Sequence, residues 1–198
     1  MSTAFTLAGV SAVLRKLFDS HLRDSGVAAA LGTRVEVTVR SPDRLVIQEG
    51  SSQLNLFLHH VGQSAQVRRA PVRHPAPPLA TLSAGLDLHY LISAHASQDF
   101  HAEILLGHAI GLLHEHPIVS GQLIRSSLFP QPPIDAAEPA ALEAVAKSEF
   151  ANGLVELRIT PEALSRDDLA RVWLATRTSA RPSVTYQVTV VFQETPPR

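Results

Sequence analysis

The sequence predicts an α+β domain, a mixed α/β arrangement in which helices pack on one sheet that is mainly antiparallel or mixed. Three observations predict it. Strand patterns of period two recur along the whole chain, with a few helical patterns among them and no regular strand–helix alternation. The 198 residues suit one domain, 1–198. Apolar residues make up 45%, enough for a core, and charged residues 18%, below the usual ~25%. That balance excludes a disordered chain and leaves uncharged surface for a partner to cover.

The N-terminal segment, 1–24, is read as a helix. Leu7, Val10, Leu14, Leu17, Phe18 and Leu22 recur at spacings of three and four and form one stripe. Ser25-Gly26 interrupts it, and a short helix around 28–30 ends at Gly32. The period then becomes two. Val35, Val37 and Val39 alternate with Arg34, Glu36, Thr38 and Arg40. Ser41-Pro42-Asp43 reads as a turn and Leu45-Val46-Ile47 as a second strand, so a hairpin is expected over 34–49. Leu54, Leu56 and Leu58 alternate in the next strand, with Phe57 among the outward residues.

Residues 62–81 hold Pro71, Pro75, Pro77 and Pro78 and read as a long basic loop. Leu86, Leu88, Tyr90 and Ile92 form one face of a strand over 85–95. A helix follows from about Asp99, its expected cap, to His114, and Pro117 ends it. Residues 126–140 read as a second Pro-rich loop, and 141–150 carry no clear pattern. Residues 154–159 form a strand, and Thr160-Pro161-Glu162 is read as opening a helical turn. Ser165, three residues before Asp168, resembles a capping box for a helix that ends near Ala175. The last strand, 182–195, alternates Val184, Tyr186, Val188, Val190 and Phe192 with polar residues.

Charge and composition exclude several functions. Lys+Arg number 17 against 18 Asp+Glu, a net charge of −1, so no global positive field draws nucleic acid or anionic lipid. Cysteine is absent, which excludes disulfides, thiolate catalysis and Cys-ligated zinc. No stretch of ~18 apolar residues spans a membrane. The N-terminus has no signal-peptide pattern, so the chain is expected to stay in the compartment where it is made.

Ten histidines raise a metal reading, and a metal-dependent hydrolase built on His101, His108, His114 and Glu115 is the enzymatic rival. His-Glu-x-x-His is absent, because position 118 is Ile. There is no Gly-x-Ser-x-Gly elbow, phosphate loop or dinucleotide turn. Asp167-Asp168 suits helix-dipole compensation better than acid–base work. No catalytic residue, metal ligand or cofactor is therefore expected. Interaction features remain. Arg68, Arg69, Arg73 and His74 lie on the first Pro-rich loop. Trp173, with Arg171 and Arg177, combines residue types that dominate interface hot spots, although a single Trp is more often core. The last strand offers open backbone groups if it lies at a sheet edge.

Four segments resemble a known family. They are Leu54-Asn55-Leu56-Phe57-Leu58, Leu86-Asp87-Leu88-His89-Tyr90-Leu91-Ile92, Glu103-Ile104-Leu105-Leu106-Gly107 running into Leu113-His114-Glu115-His116-Pro117, and Ile159-Thr160-Pro161-Glu162 through Trp173 to Arg181-Pro182-Ser183-Val184-Thr185-Tyr186-Gln187-Val188. Their order and spacing, over about 50–195, are similar to the cap or tail-terminator family of extracellular contractile injection systems, the phage-tail-like particles. Ser179-Ala180 departs from the pattern, where a bulkier residue is expected. The C-terminal extension of some relatives is also not seen. The resemblance implies a phage tail-terminator-like fold and a hexameric ring on the end of the particle distal to its baseplate. It implies binding to the last layer of inner tube and sheath, an end to their polymerisation, and no catalysis. Assembly would be cytoplasmic, in a particle later released or held at a membrane. Arg181 and Tyr186 join the interface candidates. An adaptor that forms no ring is the second rival.

Overall fold

The computed structural model describes residues 5–64, 85–128, 145 and 154–192. In chain order the elements are α1 (Thr6–Asp24), α2 (Val27–Leu31), β1 (Arg34–Thr38), a 3-10 turn (Pro42–Arg44), β2 (Ser51–Gln63), β3 (Leu86–Ala96), α3 (His101–Glu115), β4 (Ile118–Ser120), α4 (Gly121–Leu128), β5 (Leu154–Glu162), α5 (Arg166–Ala175) and β6 (Ser183–Phe192). The strands make one six-stranded sheet in the order β1-β2-β3-β6-β5-β4. Only β1–β2 is parallel. The α+β reading with one mixed sheet is the observed fold.

One face of the sheet carries the core. Leu54 and Leu56 of β2, Leu88, Tyr90 and Ile92 of β3, Val188 and Val190 of β6, and Leu157 and Ile159 of β5 alternate onto it. Val10, Leu14, Phe18 and Leu22 of α1 cover this face along the stripe that the spacing predicts. α3 packs on β2 and β3, and α4 packs on β5 and α1. A buried hydrogen bond of 2.8 Å between Ser11 Oγ and Tyr90 OH ties α1 to the sheet. Burial keeps the Tyr90 phenol protonated well above its ordinary range.

Several expectations are corrected. There is no 34–49 hairpin. β1 pairs in parallel with the start of β2, Arg34 opposite Ser51 and Thr38 opposite Asn55. A parallel pair needs a crossover of about a dozen residues, and 39–50 supplies it. Residues 45–47 form no strand, and Val46 is 74% exposed. Thr160-Pro161-Glu162 belongs to β5, with Pro161 opposite Tyr186. β4 pairs with 156–158, and among the described residues no strand lies beside Pro161 on that side of β5, a place that tolerates proline. Asp99 caps nothing: α3 starts after Phe100, held at φ 67° with no side-chain cap. α4 occupies Gly121–Leu128, so 126–128 are helical where the second Pro-rich loop is expected to begin, and the rest of that loop, 129–140, lies outside the described residues. The last strand is not at an edge, because β6 lies between β3 and β5.

Candidate interaction surfaces

The opposite face of the sheet is polar. Asp87, His89, Leu91, Ser93 and His95 of β3 alternate onto it, beside Asn55 and Phe57 of β2 and Thr185, Gln187 and Thr189 of β6. Its residues bond to one another across strands. Thr189 Oγ1 donates to Asp87 Oδ1 at 2.7 Å, and Thr185 Oγ1 donates to the Glu162 carbonyl at 2.6 Å. His89 Nδ1 lies 2.9 Å from Glu162 Oε1, a hydrogen bond in which the ring N–H donates to the carboxylate. A bulge between Leu58 and His60 inserts His59. It brings His60 and His59 to ring-centroid distances of 5.1 and 6.2 Å from His89. Burial lowers the His59 pKa more than Glu162 raises it.

At the other end of this face Leu91 and Ser93 are fully buried. The Ala94 amide donates to the Pro182 carbonyl at 3.2 Å, so the chain after α5 lies against β3 there. Ser93 Oγ and His95 Nε2 share a 2.9 Å hydrogen bond. Burial, helped by Arg181, pushes the His95 pKa from 6.5 down to about 4. Ser165 caps α5, its Oγ accepting from the Asp168 amide at 3.1 Å.

The expected interface residues divide into three groups. Arg68, Arg69, Arg73 and His74 lie outside the described residues. Arg171, Arg177 and Arg181 are exposed around the C-terminal end of α5, beside Leu174 at 74% exposure. Arg171 Nη1 lies 3.6 Å from Asp168 Oδ1. Trp173 and Tyr186 are corrections, at 3% and 5% exposure. Tyr186 faces Tyr90 in the core-side register between β3 and β6. Trp173 is buried apart from the main core. Neither side chain is free to meet a partner. Arg177 is a left-handed residue, φ 55°, at the position after the helix where glycine is preferred. The turn is held by Thr176 Oγ1 donating to the Trp173 carbonyl at 2.7 Å and by the Arg177 amide donating to the Leu174 carbonyl at 3.1 Å.

The histidines of the enzymatic rival are not brought together. His101 Nδ1 lies 3.5 Å from Ser52 Oγ, His108 stacks on His21 at 4.8 Å, and His114 is exposed. Burial lowers the His108 pKa, with His21 adding to the effect. Among the described residues no three His, Asp, Glu or Cys side chains are placed to hold a metal ion, and no helix is long and apolar enough to cross a membrane.

The sequence reading missed Asn55. It is fully buried on the polar face, and its amide acts as a short piece of strand. Nδ2 donates to the Arg40 carbonyl at 3.0 Å, while Oδ1 accepts from the Arg40 amide at 3.2 Å and from Thr38 Oγ1 at 2.9 Å. Gln53 Nε2 likewise donates to the Val46 carbonyl at 2.9 Å. These amides draw the chain that leaves β1 over the polar face. The only signal available was an Asn in the middle of an apolar strand.

The family model described as the Pvc16 N-terminal domain matches residues 9–198. The chain belongs to that family. The sequence matches no protein with a curated description. Solved structures similar to this chain include two terminators. One is the sheath/tube terminator of an extracellular contractile injection system, PVC, in its extended state, 16% identical with a TM-score of 0.46 over 87% of this chain and 56% of that one. The other is the tube-terminating cap of the anti-feeding prophage, 14% identical with a TM-score of 0.46 over 89% and 54%. The Pvc16 domain chain thus spans about half the length of these solved chains.

Proposed function

We propose that this chain is a structural cap, or tail terminator, of a contractile injection system. It forms a ring, hexameric by the family's pattern, on the distal end of inner tube and sheath, and stops both from growing. The observation that carries the reading is membership of the Pvc16 N-terminal domain family over 9–198. The four segments that resemble the cap family support it. A closing ring needs two different, complementary surfaces on each subunit. Arg171, Arg177 and Arg181, each exposed, are proposed for one such contact. Arg68, Arg69, Arg73 and His74 are proposed as a second contact, toward acidic groups of tube or sheath. The chain makes and breaks no covalent bond in this reading, needs no cofactor, and acts in the cytoplasm during particle assembly.

The test is electron microscopy of particles produced with and without this chain. Tube and sheath of one set length are expected when it is present, and lengths that scatter or overrun when it is absent. Unchanged lengths in its absence would refute the reading. Mass measurement of the chain bound to tube ends checks the six-fold ring and separates it from a monomeric adaptor.

A further inference from the structure

A bulge and a glycine shape one corner of the polar face. Past the bulge, the register sets His60 opposite His89 and Gly62 opposite Asp87. These four residues stand on one face as two neighbouring cross-strand pairs. Gly62 has no side chain to fill its corner. A Cβ at Gly62 would lie 3.8 Å from His60 Nε2 and 3.9 Å from His89 Nε2, with the Asp87 carbonyl oxygen also at 3.9 Å. Both ring nitrogens thus lie within 4 Å of one point.

The rings are prepared to give lone pairs to that point. The His89 Nδ1–H donates to Glu162, with Oε1 at 2.9 Å and Oε2 at 3.0 Å. In a neutral imidazole protonated at Nδ1, Nε2 carries the lone pair. A carboxylate on the far nitrogen is the usual support of a metal-binding histidine, because it fixes the tautomer and ring orientation and makes the donor more basic. Among the described residues neither Nε2 takes part in a hydrogen bond. The two ring centroids are 5.1 Å apart and the planes are inclined at 49°. Two imidazoles on one tetrahedral ion, each bonded at about 2.0–2.1 Å, hold their centroids about 5 Å apart.

We propose that His60 Nε2 and His89 Nε2 bind one divalent transition-metal ion beside Gly62, with Glu162 as the positioning residue for His89. Zinc is of the class that imidazole suits. Among the described residues no third His, Asp, Glu or Cys is placed to join them, and Asp87 Oδ1 already accepts from Thr189 at 2.7 Å. The other coordination positions go to water, so the site is weaker than a closed structural zinc site. A bound ion ties β2 to β3 just past the bulge. The site uses none of His101, His108 and His114, and it stands independently of the capping reading.

The experiment titrates the full chain, freed of metal by a chelator, with zinc chloride at pH 7.5, above the ordinary imidazole pKa of about 6.5. Calorimetry reads the affinity, and nitrogen NMR of the imidazoles reads the ligands. One ion per chain is expected in the tightest step, with the Nε2 signals of His60 and His89 moving and that of exposed His114 unmoved. His60→Ala and His89→Ala should each abolish that step, and His114→Ala should leave it unchanged. Gly62→Ala puts a methyl group where the two nitrogens converge, and Glu162→Gln leaves both donors but loosens the hold on the His89 tautomer. Each should lower affinity about ten-fold or more while far-UV circular dichroism stays unchanged. Should an alanine variant fail to fold, the wild-type ring signals decide. Zinc that moves other histidines in place of these two overturns the proposal. So does a binding step that survives loss of either ring, or the absence of any step with one ion per chain.

Discussion

The two faces of the sheet are built on different physics. The face under α1, α3 and α4 is a continuous apolar surface, and its residues are held by area removed from water. The other face is held by side-chain hydrogen bonds: Asp87–Thr189 between β3 and β6, His89–Glu162 from β3 across β6 to β5, and Asn55 of β2 to Arg40 in the loop after β1. Area is indifferent to direction, and hydrogen bonds are not. The first face therefore sets how stable the domain is. The second sets where particular loops lie, and it keeps polar groups available near the surface.

The largest effect is expected on the apolar side. Phe18 is fully buried at the centre of the α1 stripe. Phe18→Ala should cost about 3–5 kcal/mol, measured by denaturant unfolding, from lost transfer energy and the cavity left behind. Thr160→Ala, exposed on β5, should change stability by no more than about 0.5 kcal/mol. Equal losses at the two sites would break the contrast.

The polar face should make the fold acid-sensitive. The folded state holds His95 neutral, with its pKa near 4 against 6.5 in the open chain. A group with a lowered folded pKa binds its proton more readily in the unfolded chain. Its stabilising effect is full above about pH 6.5 and is lost as pH falls toward 4. A loss on the order of 2 kcal/mol is expected across that window. His95→Gln should flatten the curve there. His59 and His108 are also lowered by burial and push in the same direction, so some slope should remain. A wild-type stability that does not fall between pH 6.5 and 4 would contradict the assignment.

Asn55→Ala tests whether the amide places the loop. It removes the acceptor for Thr38 and both bonds to Arg40, for a loss of about 2 kcal/mol. Hydrogen exchange at the Arg40 amide should speed up more than exchange at Val37, which is buried in the core. Uniform acceleration of both would mean that Asn55 supports the whole sheet rather than the loop.

The same contrast explains what could be read in the sequence. Alternation at 86–92 and 184–192 and the three-and-four spacing at 7–22 exist because one side of each element meets the core, and those elements were found. Strand order leaves no such periodic trace. Nothing local distinguishes β1 turning back as a hairpin from β1 crossing to a parallel neighbour, and the turn residues Ser41-Pro42-Asp43 serve a 3-10 turn equally well. β4 has three residues, too few for a pattern. β6 had the clean alternation of a strand with one wet face, and that pattern is the same at an edge as in the interior. Of the expected interface, the arginines around α5 are exposed. Trp173 and Tyr186 are buried, because composition names residue types and not the side they face.

The smallest expected effect separates stability from assembly. Arg177 occupies a left-handed conformation that glycine adopts without strain. Arg177→Gly should relieve strain, while the greater freedom of the unfolded chain offsets part of the gain. The net change expected is a stabilisation of about 0.5 kcal/mol, read as a small rise in the denaturation midpoint at constant m-value. If the side chain belongs to the ring or tube contact, the same variant should cap fewer particles although its domain is more stable. An arginine that costs the fold stability but is needed for capping would then mark a partner contact at Arg177. A variant that is more stable and caps normally would remove Arg177 from the proposed contact, leaving Arg171 and Arg181 to be tested by charge reversal.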